Sequence, residues 1–173
     1  IESVNQPTIE ENDILVEVKA ASINPLDWRI RTGEMKIMTG KTPPRILGSD
    51  FSGVVSEIGK GITNYKKGDE IFGMVDIIKA KEGTYAEFVK AKESDICLKP
   101  KNCSFEEAAS LPLVSLTAYI ALANIAKVKK GSRVLVNGCA GGVGSAAVQI
   151  AKALSCKTTG VCSTNNIEFA KKI

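Results

Sequence analysis

The chain has 173 residues, 44% hydrophobic and 24% charged. That length and balance suit one large or two small soluble domains with a real core, and they exclude disordered, collagen-like and coiled-coil classes. The net charge is +4 with no dense basic block, and aromatics make up 5%, so neither a nucleic-acid surface nor a base-stacking platform is marked. Histidine is absent, which removes Ser-His-Asp triads, His-assisted thiols, H-E-x-x-H zinc sites and His proton shuttles together.

Cys97, Cys103, Cys139, Cys156 and Cys162 are odd in number and none stands at C-x-x-C spacing. Zinc ribbons and thioredoxin-like motifs are therefore not expected, and unpaired thiols point to a reducing compartment, read here as the cytoplasm. No apolar stretch approaches the ~18 residues of a membrane span. The segment Ile1 to Glu11 lacks the regions of a signal peptide and an initiator Met, so the chain is expected to start inside a longer protein.

Residues 13–23 combine a β-branched run with partial alternation and predict a half-buried strand, ended by the turn signal Asn24-Pro25. Residues 39–45 hold two prolines and read as a loop. Gly48 to Gly59, Glu70 to Gly73 and Tyr85 to Val89 read as further strands spaced by glycine turns, which suggests a small barrel or sandwich ending near Pro100. The pattern then changes. Ser104-Phe-Glu-Glu107 is a capping box that opens a short helix to about Ser110. Pro112 is placed to start a second helix near Leu113 to Ala126, with Leu113, Leu116, Ile120 and Ala123 spaced as a core face. Ser132 to Asn137 reads as a buried parallel strand, a helix follows to Leu154 with Val143, Ala147, Ile150, Ala151 and Leu154 on one face, Lys157 to Cys162 is the next strand, and Ile167 to Ile173 starts another helix.

The strongest motif joins that strand to that helix: Gly138-Cys-Ala-Gly-Gly-Val-Gly144-Ser-Ala-Ala147. Gly142-x-Gly144-x-x-Ala147 is a variant of the dinucleotide fingerprint G-x-G-x-x-G/A. Glycine can turn the chain from strand into helix, it lets a pyrophosphate approach the backbone, and the exposed N–H groups of the helix N-terminus then hold the phosphate charge. The plain alternative is a tight turn with no ligand. The next strand ends in Cys162-Ser-Thr-Asn-Asn166, where NAD-specific folds place a carboxylate for the ribose 2′-OH. With none present to repel a 2′-phosphate, NADP(H) is favoured. These residues also suit a helix cap, and both roles are compatible.

Six motifs occur in order: Asn24-Pro-Leu-Asp27-x-x-x-Arg31-x-Gly33, Gly48-Ser-Asp-Phe-Ser-Gly53, Lys67-Gly-Asp-Glu-Ile-Phe-Gly73, Gly83-Thr-Tyr-Ala-Glu-Phe88, Ala108 to Tyr119, and Ala140 to Ala151. Together they resemble the zinc-independent quinone oxidoreductase (zeta-crystallin-like) and enone reductase branch of the medium-chain dehydrogenase/reductase superfamily. The resemblance implies an all-β domain with a GroES-like barrel over 1–103, followed over 104–173 by the first part of a doubly wound α/β Rossmann domain, with the active site in the cleft between them. It implies NADPH as hydride donor, a quinone or α,β-unsaturated carbonyl as acceptor, and a homodimer at full length; neither nucleic acid nor membrane is a partner. The zinc-dependent relatives carry Cys near Asn24, a His-Glu pair at Ser49-Asp50 and a four-Cys lobe, none of which is present.

Carried over onto these positions, Gly141, Gly142, Val143 and Gly144 meet the pyrophosphate, and Ser163, Thr164 and Asn165 surround the 2′-phosphate. Thr117 lies near the nicotinamide and Arg29 faces the nucleotide. Asn24 and Asp27 line the substrate side, the Asn24 amide being the candidate donor to the carbonyl oxygen and Asp27 orienting Asn24 or Arg29. A plain Asx turn is the alternative at Asn24 and Asp27. Tyrosines that some members place near 29 and 35 are Arg29 and Met35 here, so a tyrosine acid there is absent and water is the expected proton source. The family's first strand and its later Rossmann strands fall outside the chain, so the nucleotide pocket is expected to be incomplete. Two other functions stay open: a non-enzymatic, crystallin-like NADPH-binding protein, and an enoyl reductase module of a larger synthase.

Overall fold

The computed structural model describes residues 2–40, 46–80 and 82–173, and the expected loop over 39–45 therefore lies mostly outside the described residues. The chain divides into two compact units, Ile1–Pro112 and Leu113–Ile173. The first unit contains β1 (Asp13–Ala21), α1 (Pro25–Thr32), α2 (Lys36–Thr39), β2 (Asp50–Ile58), β3 (Glu70–Met74), α3 (Ile77–Ala80), β4 (Phe88–Lys92), β5 (Ile96–Leu98) and α4 (Phe105–Ala109). Its strands form one antiparallel sheet in the order β4-β1-β2-β3-β5. β1 is an interior strand, paired with β4 and β2, and Asp13, Ile14, Leu15 and Val16 are buried in succession, where half-burial was expected. The core gathers Ile14, Val16, Phe51, Val55, Ile71 and Val89. Phe51 is wholly buried, a side chain whose removal from water is worth about 2–3 kcal/mol.

Asn24-Pro25 does end β1, but the turn opens directly into α1, because Pro25 sits at the first helical position where its missing N–H costs nothing. The Ser104 capping box forms as expected: Glu107 N–H donates to Ser104 Oγ at 3.1 Å and Ser104 N–H to Glu107 Oε2 at 2.9 Å. The helix it opens, α4, which a boundary after Cys103 would assign to the second domain, packs on β1, β2 and β3. Ser52, wholly buried, donates from Oγ to the Phe105 carbonyl at 2.5 Å.

The second unit contains α5 (Pro112–Tyr119) from its second residue on, a six-residue π-helix continuing it (Ile120–Ile125), β6 (Arg133–Asn137), α6 (Gly142–Ala153), β7 (Lys157–Val161) and α7 (Ile167–Ala170). β6 and β7 pair in parallel from Arg133↔Lys157 to Asn137↔Val161, and α6 packs on both. This is the expected β-α-β unit. Three packing expectations differ. Leu116 and Ile120 are exposed rather than core. Leu135 is 68% exposed while Val136 is buried, since strand alternation turns them to opposite faces and α6 covers one. On α6 the buried residues are Val148 and Ala151, with Val143 exposed at the helix tip.

Candidate functional site

The turn from β6 to α6 is built by glycine at two places for two reasons. Gly138 takes φ +76°, a left-handed conformation that costs other L-residues about 1–2 kcal/mol. The positive φ thus falls ahead of the Gly142-x-Gly144 fingerprint. Gly144 is needed for close approach: a Cβ there would stand 2.1 Å from Gly138 O and 2.9 Å from Cys139 Cα, both backbone atoms. Gly142 is less constrained, its nearest neighbour being Val114 Cγ1 at 3.0 Å. The turn is tied to the sheet because Gly138 and Cys139 both donate N–H to the Val161 carbonyl, at 2.9 and 3.0 Å.

The first helical hydrogen bond of α6 is Ser145 N–H to Gly141 O at 2.8 Å, so the N–H groups of Gly142, Val143 and Gly144 have no intrahelical acceptor. No side chain caps them, and Gly141, Gly142 and Val143 are exposed. Three aligned donors at the positive end of a twelve-residue helix can hold an anion. Thr117 sits on α5, one turn beyond the Val114 that packs against Gly142; its hydroxyl donates back to Leu113 O at 2.7 Å.

At the tip of β7 the chain enters a 3-10 turn over Thr164–Asn166. Asn166 donates from its backbone N–H to Ser163 O at 2.9 Å and from Nδ2 to Ser163 Oγ at 3.0 Å. Ser163 is therefore the cap, and Ser163, Thr164 and Asn165 all remain exposed. The nearest following carboxylate, Glu168, is paired with Lys171 at 2.8 Å.

In the first unit Asn24 and Asp27 lie in a buried polar cluster, 5% and 2% exposed. Asp27 Oδ2 accepts from the Asn24 backbone N–H at 2.7 Å and from the Tyr85 hydroxyl at 3.0 Å. Asn24 Nδ2 donates to Ser22 Oγ at 3.1 Å and to Asp50 Oδ2 at 3.0 Å, and Ser22 Oγ donates to the same Asp50 oxygen at 3.0 Å. Flipping the amide would aim its oxygen at the Asp50 carboxylate, which fixes its orientation. Both amide hydrogens are thus used inside the cluster. Asp27 Oδ1 and Ser49 Oγ are buried with no hydrogen-bond partner among the described residues. Burial, the hydrogen bond to Asp27 and the charges of Asp27 and Asp50 push the Tyr85 hydroxyl well above the usual phenol range, so it donates a hydrogen bond and keeps its proton. Arg29, two residues beyond Asp27 on α1, is exposed with its guanidinium 5.5 Å from the Trp28 ring.

Ser22, Asp50 and Tyr85 join this cluster without having been singled out from the sequence. Asp50 and Tyr85 stand in the quoted Gly48–Gly53 and Gly83–Phe88 motifs, and that was the available signal. Ser22 carried none.

The alcohol dehydrogenase GroES-like domain family matches residues 10–101. The chain is 36% identical over 172 residues to the chloroplast envelope quinone oxidoreductase homolog of Arabidopsis thaliana, covering 96% of the chain and 52% of that protein. It is 38% identical over 178 residues to the 2-methylene-furan-3-one reductase of Solanum lycopersicum, covering 99% of the chain and 45% of that protein. The solved structure of Escherichia coli quinone oxidoreductase complexed with NADPH superimposes with a TM-score of 0.81 at 32% identity, over 99% of the chain and 51% of that one. The chain spans about half the length of the curated relatives it matches.

Proposed function

Because the chain belongs to the alcohol dehydrogenase GroES-like family, within the medium-chain dehydrogenase/reductases that include the quinone oxidoreductases, we propose that it serves an NADPH-dependent oxidoreductase passing hydride to a quinone or an α,β-unsaturated carbonyl without zinc. The observation that carries this reading is the uncapped, exposed N-terminus of α6 above a turn that only glycine fits at position 144. The residues present suit a dinucleotide diphosphate, with Gly142, Val143 and Gly144 supplying backbone N–H groups, while the N–H of Gly141 is already donated to Gly138 O at 3.0 Å and that residue offers only its exposed, side-chain-free backbone. Ser163, Thr164 and Asn165 offer hydroxyls and an amide to a 2′-phosphate, with no carboxylate to repel it. Arg29 and Thr117 remain proposed contacts to the nucleotide.

The nicotinamide, when bound, supplies the hydride. The chain's own part is placement and polarity. Asp27 holds the backbone of Asn24 and through it the start of α1, so it acts as a positioning residue. Asn24 faces the developing oxyanion as a donor only by releasing Ser22 or Asp50; otherwise it too is positioning, and water delivers the final proton. Support for zinc independence comes from the donor set where zinc-dependent relatives carry Cys and His. Here it is the Asn24 amide, the Ser49 hydroxyl and an Asp50 carboxylate already hydrogen-bonded to Ser22 and Asn24. Thiolate and imidazole, the ligands zinc favours, are missing from it.

Among the described residues no helix is long and apolar enough to cross a membrane. Five free thiols suit a reducing compartment such as the cytoplasm, and a homodimer is the proposed assembly. The test is turnover by the full-length protein with a quinone and enone panel, chelator-treated, with NADPH against NADH. Faster NADPH oxidation, indifferent to chelation, is expected. Equal rates with NADH would remove the role given to Ser163–Asn165, and saturable NADPH binding without turnover would make the protein a binder and not a reductase.

A further inference from the structure

Two thiols meet at the same edge of the parallel sheet as the glycine-rich turn. Cys139 is the second residue of that turn and Cys162 follows the last residue of β7. The register pair Asn137↔Val161 brings the two strand ends side by side, and the Cys139 N–H donates to the carbonyl of Val161, the neighbour of Cys162, at 3.0 Å. The two side chains pack in one apolar cluster with Val136 and Val148. Gly160 leaves room for them: a Cβ there would lie 2.8 Å from Cys139 Sγ. Both thiols line a cavity of about 300 Å³ between α6, β7 and α7 that also meets Lys152, Thr158 and Lys171. Cys139 is 2% exposed and Cys162 is half-buried, so a small oxidant entering the cavity reaches Cys162 first.

We propose that Cys139 and Cys162 are a peroxide-oxidised thiol pair whose disulfide ties the glycine-rich turn to the tip of β7 and weakens nucleotide binding there. The chemistry balances with a hydroperoxide as oxidant. The Cys162 sulfur attacks the peroxide, its S–H proton leaves with the expelled oxygen as water, and Cys162 becomes a sulfenic acid. The Cys139 sulfur then attacks that sulfur, the S–O bond breaks and a second water departs. Two thiols and one hydrogen peroxide give one disulfide and two waters. Burial and the contact with Cys139 push the Cys162 thiol above the ordinary range, so the reaction is that of a slow, unactivated thiol.

Bonding draws the sulfurs to about 2.05 Å, well inside the van der Waals separation of two packed thiols. That pull acts on the residue whose Cα would lie 2.9 Å from a Cβ at Gly144, so the displacement reaches the N–H groups of α6. The consequence for nucleotide binding rests on the reading given under Proposed function; the cross-link does not.

The test treats the purified chain with hydrogen peroxide, blocks remaining thiols with N-ethylmaleimide, and digests with trypsin. Cys139 falls in peptide 134–152 and Cys162 in peptide 158–171, with Cys156 in neither. A dithiothreitol-sensitive species joining these two peptides is expected, retained in a Cys97→Ser, Cys103→Ser, Cys156→Ser triple variant and lost in Cys162→Ala. Separate peptides with Cys162 as sulfinic acid or maleimide adduct, or a link through Cys156, would overturn the proposal. The Cys162→Ala variant serves if Cys139→Ala does not fold. In the full-length protein, on which NADPH binding is measured, oxidation should weaken that binding at least tenfold, reversibly, and leave Cys162→Ala unaffected. A cross-linked protein with unchanged NADPH affinity would sink the switch, and reduced protein that binds no NADPH would sink the cofactor reading while leaving the disulfide to be judged by the peptides.

Discussion

Replacing Gly144 by alanine tests the architecture of the turn more sharply than replacing any other glycine in it. The new Cβ would stand 2.1 Å from Gly138 O and 2.8 Å from Gly138 C. A carbon–oxygen contact tolerates about 3.3 Å, so α6 and the turn must separate by about 1.2 Å, and both sides of the clash are backbone. Overpacking of this kind costs about 1–3 kcal/mol, towards the upper end here because no side-chain rotation relieves it. Alanine's better helix propensity returns about 1 kcal/mol. A net loss of about 2 kcal/mol is expected, or roughly 4–8 °C in Tm at this chain length. Gly142→Ala is the control: its neighbour is a Val114 methyl at 3.0 Å, which yields by a few tenths of an ångström, so stability should be nearly unchanged. Thermal unfolding followed by helical circular dichroism, with NADPH binding measured alongside, separates the two. A Gly144→Ala protein as stable as Gly142→Ala, binding NADPH equally well, would mean that the helix does not rest on the turn at this residue.

Tyr85→Phe removes one of the two donors to Asp27 Oδ2, in a carboxylate whose Oδ1 already has none among the described residues. A loss of about 1–3 kcal/mol in urea unfolding is expected, and an unchanged midpoint would show that the phenol is incidental. For Asp13, burial raises the carboxyl pKa, but the Lys92 ion pair at 2.5 Å, the Glu10 N–H and the Lys90 charge outweigh it and hold the group below the ordinary range. A folded-state pKa below the unfolded one contributes stability above about pH 4 that is lost as pH falls. Asp13→Asn should therefore have the lower Tm at neutral pH and converge with the parent in acid; a constant gap across pH would refute the linkage. Ser163→Asp puts a carboxylate where a 2′-phosphate is proposed to sit, so NADPH affinity should fall while NADH affinity holds. Parallel changes in both would place the discriminating contact elsewhere.

Elements whose cause is local were legible in the sequence. The Ser104 box acts over three residues, and the β6–α6 turn is a single run from Gly138 to Gly144. Both formed where composition and spacing put them. The distinct duties of the glycines were less visible. A fingerprint marks Gly142 and Gly144 alike, but the positive φ belongs to Gly138 and the backbone contact to Gly144 alone. Side-chain burial in the second unit was read too generously, because a β-branched run does not reveal which face of its strand will be covered: Leu135 and Val136 differ only by strand alternation.

The polar cluster shows the other limit. Asn24 and Asp27 signalled themselves as neighbours in sequence, yet what decides their chemistry arrives from Ser22, from Asp50 at 26 positions' remove from Asn24, and from Tyr85 at 58 from Asp27. No periodicity links such residues; sheet topology does, by setting β1 against β2. The same logic separates the two parts of the proposed site. The proposed phosphate binding rests on backbone N–H groups, and backbone geometry leaves its trace in runs of glycine. The proposed acceptor chemistry rests on side chains assembled across strands, and a donor that looks available in sequence, the Asn24 amide, is found with both hydrogens occupied. Cys139 and Cys162 belong to that second class as well. Their 23-residue separation says nothing until β6 and β7 pair in parallel, and then strand pairing alone brings them into contact beside the turn.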